Sequence, residues 1–177
     1  MSHPRSADLE ALLVALTGAG VEFIVVGGTA AVLHGAPITT QDLDIVHRQT
    51  PENVDRLVNV LEQLDAVFRP VLADRHIRPT REHLSGDGQL NLSTRLGPLD
   101  PLCRMDDHGY DELIERTIEV SDGSLTLRVL DLPALIEAKS RAGRPKDRLV
   151  LPVLLRLLDE QARDGADEGW GNGDESD

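Results

Sequence analysis

Two aspartates separated by a single residue, Asp42 and Asp44, lie in an otherwise apolar stretch, "QDLDIVH" at 41–47, whose composition predicts a β-strand. Side chains two residues apart in a strand project from the same face, so the two carboxylates should be neighbours. Neighbouring carboxylates repel each other and resist burial unless a cation neutralises them, and oxygen ligands suit Mg²⁺. The spacing therefore predicts a Mg²⁺ site on one face of the strand, with Leu43 and Ile45 packing into the core from the other.

A glycine turn, Gly27-Gly28-Thr29, precedes the aspartate pair and follows "EFIVV" at 22–26, which predicts a short buried strand. Glycines let the backbone approach a ligand closely, and the helix predicted after the turn would offer free N–H groups to a phosphate. Thr29 could cap that helix or donate its hydroxyl to the same phosphate. Together, the turn and the aspartates predict a site for a nucleoside triphosphate (NTP) with its metal. The alternative is a solvated edge strand beside an ordinary turn.

A basic segment, "KSRAGRPKDR" at 139–148, contains both lysines of an otherwise acidic chain. One interpretation is a cationic cover over the triphosphate, in which Lys139 reaches the phosphates and Lys146 or Arg144 supports it. The other is a solvated turn between two helices, although a cation near a helix start is not favoured. Asp147 is expected to cap the helix or to form an ion pair rather than to bind metal.

The remaining candidates are weaker. His34 could face the predicted NTP site or have a structural role. The spacing of the histidines matches no metal site. Ser93 and Cys103 have no evident base partner, so nucleophilic catalysis is not indicated. The arginine-rich loop at 73–83, "ADRHIRPTREH", could contact RNA or could simply be exposed.

The elements that must position these residues alternate between helix and strand, which predicts an α/β (α+β) fold. Ser6 is expected to cap the first helix. Strands at 90–97 and 99–105 should pair or bend around Gly97-Pro98, and a hairpin is predicted at 118–130. Two helices should follow at 132–143 and 145–161, the second kinked or interrupted by Pro152.

The 177 residues fit one domain, which we divide into a core (1–131), C-terminal helices (132–163) and a disordered acidic tail (164–177). The net charge of −13 and the four aromatic residues argue against broad binding of phosphate backbones or stacking of single-stranded bases. A single cysteine excludes a disulfide framework. Without a signal peptide or a membrane-length apolar run, the sequence predicts a cytoplasmic protein with no membrane partner.

The stretch "VVGGTAAVLHGAPITTQDLDIV" resembles the signature of the DNA polymerase β-like nucleotidyltransferase superfamily, a Gly-Gly-Ser/Thr followed by Asp-x-Asp/Glu. With the later "GRPKD", it resembles more narrowly the minimal nucleotidyltransferases of the AbiEii/MenT toxin type, over about 20–162. The resemblance implies a mixed sheet with flanking helices and a short C-terminal helical pair. It also implies a third carboxylate, placed at Asp100, which completes a two-metal site and acts as base. Asp106 and Asp107 are competitors in a polar turn.

By resemblance, the activity is Mg²⁺-dependent transfer of a nucleoside monophosphate from an NTP to an acceptor hydroxyl. The resemblance also suggests tRNA as acceptor and a cognate antitoxin as partner. Two alternatives stay open: a small-molecule acceptor, and a non-catalytic module of the same fold that binds nucleotide or a partner. Ile38 departs from the pattern, because relatives often carry an arginine at this point of the loop.

Overall fold

The structure is a computed structural model that describes residues 4–69 and 76–167. Within these residues, seven strands form one mixed sheet in the order β3-β4-β5-β2-β1-β7-β6. The strands are β1 (Phe23–Val26), β2 (Leu43–His47), β3 (Val67–Phe68), β4 (Leu92–Thr94), β5 (Gly97–Leu102), β6 (Thr117–Ser121) and β7 (Thr126–Leu130). This architecture confirms the predicted mixed α/β fold class.

Two parallel pairings and one antiparallel pairing build the centre of the sheet. β1 pairs antiparallel with β2 and parallel with β7, and β2 pairs parallel with β5. All four side chains of β1 are buried, so both faces of the sheet are covered at its centre. In β2, Leu43 and Ile45 are fully buried, whereas Asp44 between them is only half-buried. The alternation predicted for this strand is therefore confirmed.

Seven α-helices surround the sheet in the described part of the chain. They are α1 (Leu9–Gly18), α2 (Gly27–Leu33), α3 (Pro51–Gln63), α4 (Arg81–Leu84), α5 (Tyr110–Leu113), α6 (Leu132–Ala142) and α7 (Pro145–Asp167). A 3₁₀ helix, Ile114–Arg116, follows α5. Thr50 caps α3 and Pro51 is its first residue, as the sequence predicts. No helix among the described residues is both long enough and apolar enough to cross a membrane.

Three local expectations were wrong. Asp8, not Ser6, caps α1, because its carboxylate accepts a hydrogen bond of 3.1 Å from the Ala11 N–H. Gly97 and Pro98 lie inside β5 rather than in the turn, which is formed by residues 95 and 96 and closed by the Thr94 hydroxyl. The helix α2 begins at the first glycine instead of after the glycine pair.

The C-terminal helix also differs from expectation. Pro152 lies inside α7 without interrupting it, since Pro152 is exposed while Asp147 and Leu154 hold the packed side of the helix. The helix continues to Asp167, so it extends beyond residue 161, where the sequence predicts its end. The rest of the predicted tail, 168–177, lies outside the described residues.

Candidate active site

Three carboxylates converge at the centre of the sheet. Asp44 in β2 pairs in register with Asp100 in β5, and Asp42 lies immediately before β2. One carboxylate oxygen from each of the three lies within 4.8 Å of the others. The structure therefore brings Asp42, Asp44 and Asp100 together, because parallel pairing of β2 and β5 aligns residues that are 56 positions apart.

The electrostatics of this cluster suit a divalent cation. Burial raises the pKa of Asp44 to about 6, and repulsion from Asp42 and Asp100 adds to the rise, while Lys146 and Lys139 oppose it. Burial likewise raises the pKa of Asp100, against the lowering effect of Arg69. Three oxygen donors whose negative charges repel one another at this distance fit a hard ion such as Mg²⁺. These residues could therefore hold the metal that the sequence predicts.

The glycine turn packs directly against the aspartates. Gly27 has a φ of +64°, and a Cβ added there would lie 2.2 Å from Asp44 Oδ2. A Cβ on Gly28 would lie 2.7 Å from Thr40 Oγ1, and this hydroxyl is within hydrogen-bonding distance of both the carbonyl and the carboxylate of Asp42, at 3.1 and 3.2 Å. Both glycines are therefore required by contact with the aspartate loop, quite apart from any ligand.

Thr29 takes a different position from the one predicted. Its side chain is buried, lines neither cavity described below and does not cap α2. The hydroxyl donates a hydrogen bond of 3.2 Å to the carbonyl oxygen of Asp42. The geometry thus does not support direct contact between Thr29 and a phosphate; the residue instead fixes the backbone at the first aspartate.

A cavity of about 810 Å³ opens beside the three carboxylates. Its lining includes the apolar side chains of Leu102 and Leu135 and the polar side chains of Gln89 and Asn91. A second cavity of about 270 Å³ extends along Gly27, Gly28 and the loop at 38–42. Six residues line both cavities: Gly27, Asp42, Asp44, Lys139, Arg144 and Lys146.

The basic segment forms the turn between α6 and α7, and a buried aspartate holds it in place. Lys139 Nζ lies 3.2 Å from one oxygen of Asp147, and Arg144 Nε lies 2.7 Å from the other. Asp147 is fully buried, which would raise its pKa, but the hydrogen bonds from Arg144 and Lys139 outweigh burial and lower the pKa. Its predicted structural pairing is confirmed. Lys146 is exposed and, among the described residues, forms no hydrogen bond or ion pair.

Several other candidates do not belong to the carboxylate cluster, although Asp106 lines the same large cavity. Asp106 and Asp107 are exposed, and Asp106 pairs with Arg141 at 3.3 Å. His34 Nε2 is 2.8 Å from the Leu130 carbonyl oxygen, which is a structural contact. Cys103 is buried against α4.

The described part of the arginine-rich loop, 76–83, offers little free positive charge. Arg78 pairs with Asp65 at 3.6 Å, and Arg81 pairs with Asp55. Arg75 lies outside the described residues. The described arginines of this loop are therefore engaged within the protein, which weakens the case for an RNA contact here.

Sequence reasoning missed two side chains that contact Asp100. Arg69, the residue after β3, donates a hydrogen bond to Asp100 Oδ1, and Gln89 Nε2 lies 3.4 Å from Oδ2. Neither residue belongs to a motif. The available signal was indirect: a carboxylate predicted inside a strand needs a cationic or hydrogen-bonding partner.

Comparison with known proteins identifies the fold. The chain has the nucleotidyltransferase fold, as two solved structures show. A lincosamide antibiotic adenylyltransferase, LnuA, crystallised with lincomycin bound, matches with a TM-score of 0.60 and 12% identity, over 87% of this chain and 99% of that one. A Thermotoga maritima protein provisionally assigned as a nucleotidyltransferase, TM1012, matches with a TM-score of 0.51 and 16% identity, over 84% and 90% of the two chains. No protein-family model and no curated protein matches the sequence.

Proposed function

We propose that this protein is a Mg²⁺-dependent nucleotidyltransferase, which moves a nucleoside monophosphate from an NTP to an acceptor hydroxyl. The observation that carries the proposal is the convergence of three carboxylate oxygens within 4.8 Å beside a glycine turn and a cationic helix turn. The nucleotidyltransferase fold of the chain supports it. Mg²⁺ held by Asp42, Asp44 and Asp100 would supply charge neutralisation for the triphosphate and for pyrophosphate as it leaves.

The protein's own residues have separable roles in this proposal. Backbone N–H groups at Gly27 and Gly28 hold the β- and γ-phosphates at the small cavity, and Lys146 faces them with its free ammonium group. Lys139 and Arg144 add positive charge from the same turn. Asp100 accepts the proton of the acceptor hydroxyl, whose oxygen bonds to the α-phosphorus while the bond to the β-phosphate oxygen breaks. Ile38 lines the small cavity and contributes no charge, so the lysines of the α6–α7 turn supply it instead.

A small hydroxylated molecule fits the large cavity better than RNA does. The described lining contains no aromatic side chain on which an unstacked base could rest. Arg78 and Arg81 are already paired with acids, and the chain carries a net charge of −13. The volume of about 810 Å³ lies within the range of small-molecule sites. The tRNA acceptor, the antitoxin partner and the toxin-type assignment stay predictions of the sequence resemblance.

The test is transfer of label from each of the four α-³²P-labelled NTPs in the presence of Mg²⁺. The acceptors are total tRNA in one set and hydroxylated small molecules, lincomycin among them, in another. We expect transfer to a small molecule, and a loss of about 100-fold or more in Asp44→Asn. Asp159→Asn, which neutralises an exposed aspartate on α7, is the matched control and should retain transfer.

Two other outcomes would redirect the proposal. Label on tRNA alone would favour the toxin-type acceptor. Binding of nucleotide by the wild type without transfer to either set of acceptors would favour a non-catalytic module of the same fold, which is the second class that the sequence leaves open.

A further inference from the structure

We propose that Arg69 competes with the divalent cation for Asp100 and so controls when the third carboxylate becomes a metal ligand. This inference rests on the proposed function, because it concerns the same metal site. The guanidinium of Arg69 donates to Asp100 Oδ1. The Asp100 side chain is 4% exposed and that of Arg69 is 32% exposed, so the carboxylate is withdrawn from solvent while the arginine is partly exposed and lines the cavity.

A purely structural role does not account for this arginine. Its Nε is buried and has no hydrogen-bond partner among residues 4–69 and 76–167, and leaving such a donor unpaired is costly. Asp147 is the other buried aspartate with basic partners. Both of its oxygens accept hydrogen bonds, one from Lys139 and one from Arg144. Arg69 therefore keeps a buried donor unsatisfied while it contacts one oxygen of the candidate metal site.

The contact places two kinds of cation in competition for one carboxylate. Asp100 has two like charges close by, since its carboxylate lies within 4.8 Å of those of Asp42 and Asp44. Among the described basic residues, Arg69 is the one with an ion pair to this cluster, whereas Lys139 is paired with Asp147. An oxygen that accepts a charge-assisted hydrogen bond is less available as a ligand, and the guanidinium charge repels an incoming cation. Arg69 is thus the internal counter-ion of Asp100.

The direction in which metal affinity changes when Arg69 is removed distinguishes competition with the metal from orientation of Asp100. If Arg69 only oriented Asp100 toward the metal, its removal would weaken metal binding. If Arg69 competes, its removal strengthens metal binding. The measurement is Mn²⁺ titration of the full chain, without nucleotide, followed by electron paramagnetic resonance of the free ion. We expect Arg69→Gln to bind Mn²⁺ about tenfold more tightly than the wild type, which corresponds to about 1.4 kcal/mol.

Two controls make the result interpretable. Arg104→Gln removes a positive charge from the same cavity, but its guanidinium bonds to the Asp107 carbonyl instead of the carboxylates, so its Mn²⁺ affinity should match the wild type. Asp44→Asn should weaken binding at least tenfold; if it does not, the metal site and the proposed function fail, whatever Arg69 does.

Binding by Arg69→Gln that is unchanged or weaker, beside a loss in Asp44→Asn, would overturn the role of Arg69 and leave the metal site intact. If circular dichroism shows that Arg69→Gln does not fold, Arg69→Met keeps the aliphatic stem and should show the same tightening. Failure of both variants to fold would also overturn the proposal, because it would make the arginine chiefly structural.

Discussion

Asp44 is the residue on which burial and two neighbouring carboxylates act together. Its pKa of about 6, against an ordinary 3.8, means that the folded chain binds this proton more tightly than the unfolded chain does. The contribution of Asp44 to stability therefore falls as the pH rises from about 4 to about 6. Above that range, the ionised Asp44 carboxylate destabilises the fold to its full extent. A bound divalent cation offsets the same cost, which links stability to metal binding.

The first prediction follows from that linkage. In a chelator at pH 8, Asp44→Asn should be more stable than the wild type by about 3 kcal/mol, because the substitution removes the buried charge. At pH 4 the difference should vanish, since Asp44 is then largely protonated. Urea unfolding at the two pH values measures both. A wild type that is the more stable protein at pH 8 in chelator would contradict the account.

The second prediction concerns the close approach of Gly27 to Asp44. Gly27→Ala would place a Cβ 2.2 Å from Asp44 Oδ2, so the carboxylate must move and transfer should fall about 100-fold or more. Gly20→Ala is the matched control, because Gly20 has a similar φ of +69° and nothing lies within 4 Å of its added Cβ. That variant should lose about 1 kcal/mol of stability and keep its transfer activity. Equal activity losses in the two variants would show that backbone strain, and not the contact, is responsible.

At the residue scale, the sequence predicts the arrangement of residues that are close together in the chain, but not the contacts between distant ones. The alternation around Asp42 and Asp44 could be predicted because a strand repeats every two residues. Arg69 and Gln89 could not, because their contacts with Asp100 depend on the pairing of β3, β4 and β5. The direction of the Thr29 hydroxyl could not be predicted either, since the carbonyl it contacts belongs to residue 42.

At the element scale, the α6–α7 turn is a fixed structure and not a loose loop. Gly143, with a φ of +59°, ends α6, and its N–H bonds to the Lys139 carbonyl at 3.1 Å. Asp147 then joins Lys139 in the last turn of α6 to Arg144 just before α7. One buried carboxylate thereby sets the position of the cations that face the cavities.

The third prediction tests that arrangement. Asp147→Ala leaves Lys139, which is 11% exposed, without its partner, so we expect a loss of about 3 kcal/mol of stability and of most transfer activity. Asp159→Asn, on the exposed side of the same helix, should change stability by less than about 0.5 kcal/mol. Urea unfolding of the two variants measures the difference. A near-neutral Asp147→Ala would mean that packing alone holds the turn.

The sequence predicted the boundaries of helices and strands correctly where tertiary packing did not override the local signal. Thr50 and Pro51 mark the start of α3, and the hairpin of β6 and β7 surrounds Asp122-Gly123 as predicted. Pro152 does not interrupt α7, because a proline on the exposed side of a long helix can be tolerated when the opposite side is well packed. Pro98 was expected in the turn, but the pairing of β5 with β4 places it inside a strand.

At the scale of the whole molecule, the N-terminal segment ties two parts of the site together. The Ala7 N–H bonds to the Gln41 carbonyl and the Asp8 N–H to the Leu96 carbonyl, both at 2.8 Å. The segment crosses Gly97 so closely that a Cβ there would lie 2.4 Å from the Ser6 carbonyl oxygen. These contacts join the loop before β2 to the turn before β5, the two strands that bear the carboxylates. Nothing in the local sequence indicates this crossing, since it joins positions far apart in the chain.

The central claim is that the carboxylates and the glycine turn act as one site for a metal-bound triphosphate. Calorimetry with an α,β-methylene NTP analogue tests this without knowledge of the acceptor. The account predicts binding in the presence of Mg²⁺, little binding in a chelator, and little binding by Asp42→Asn or Asp44→Asn even with Mg²⁺. Equal affinity with and without the divalent cation, in the wild type and in both variants, would contradict it.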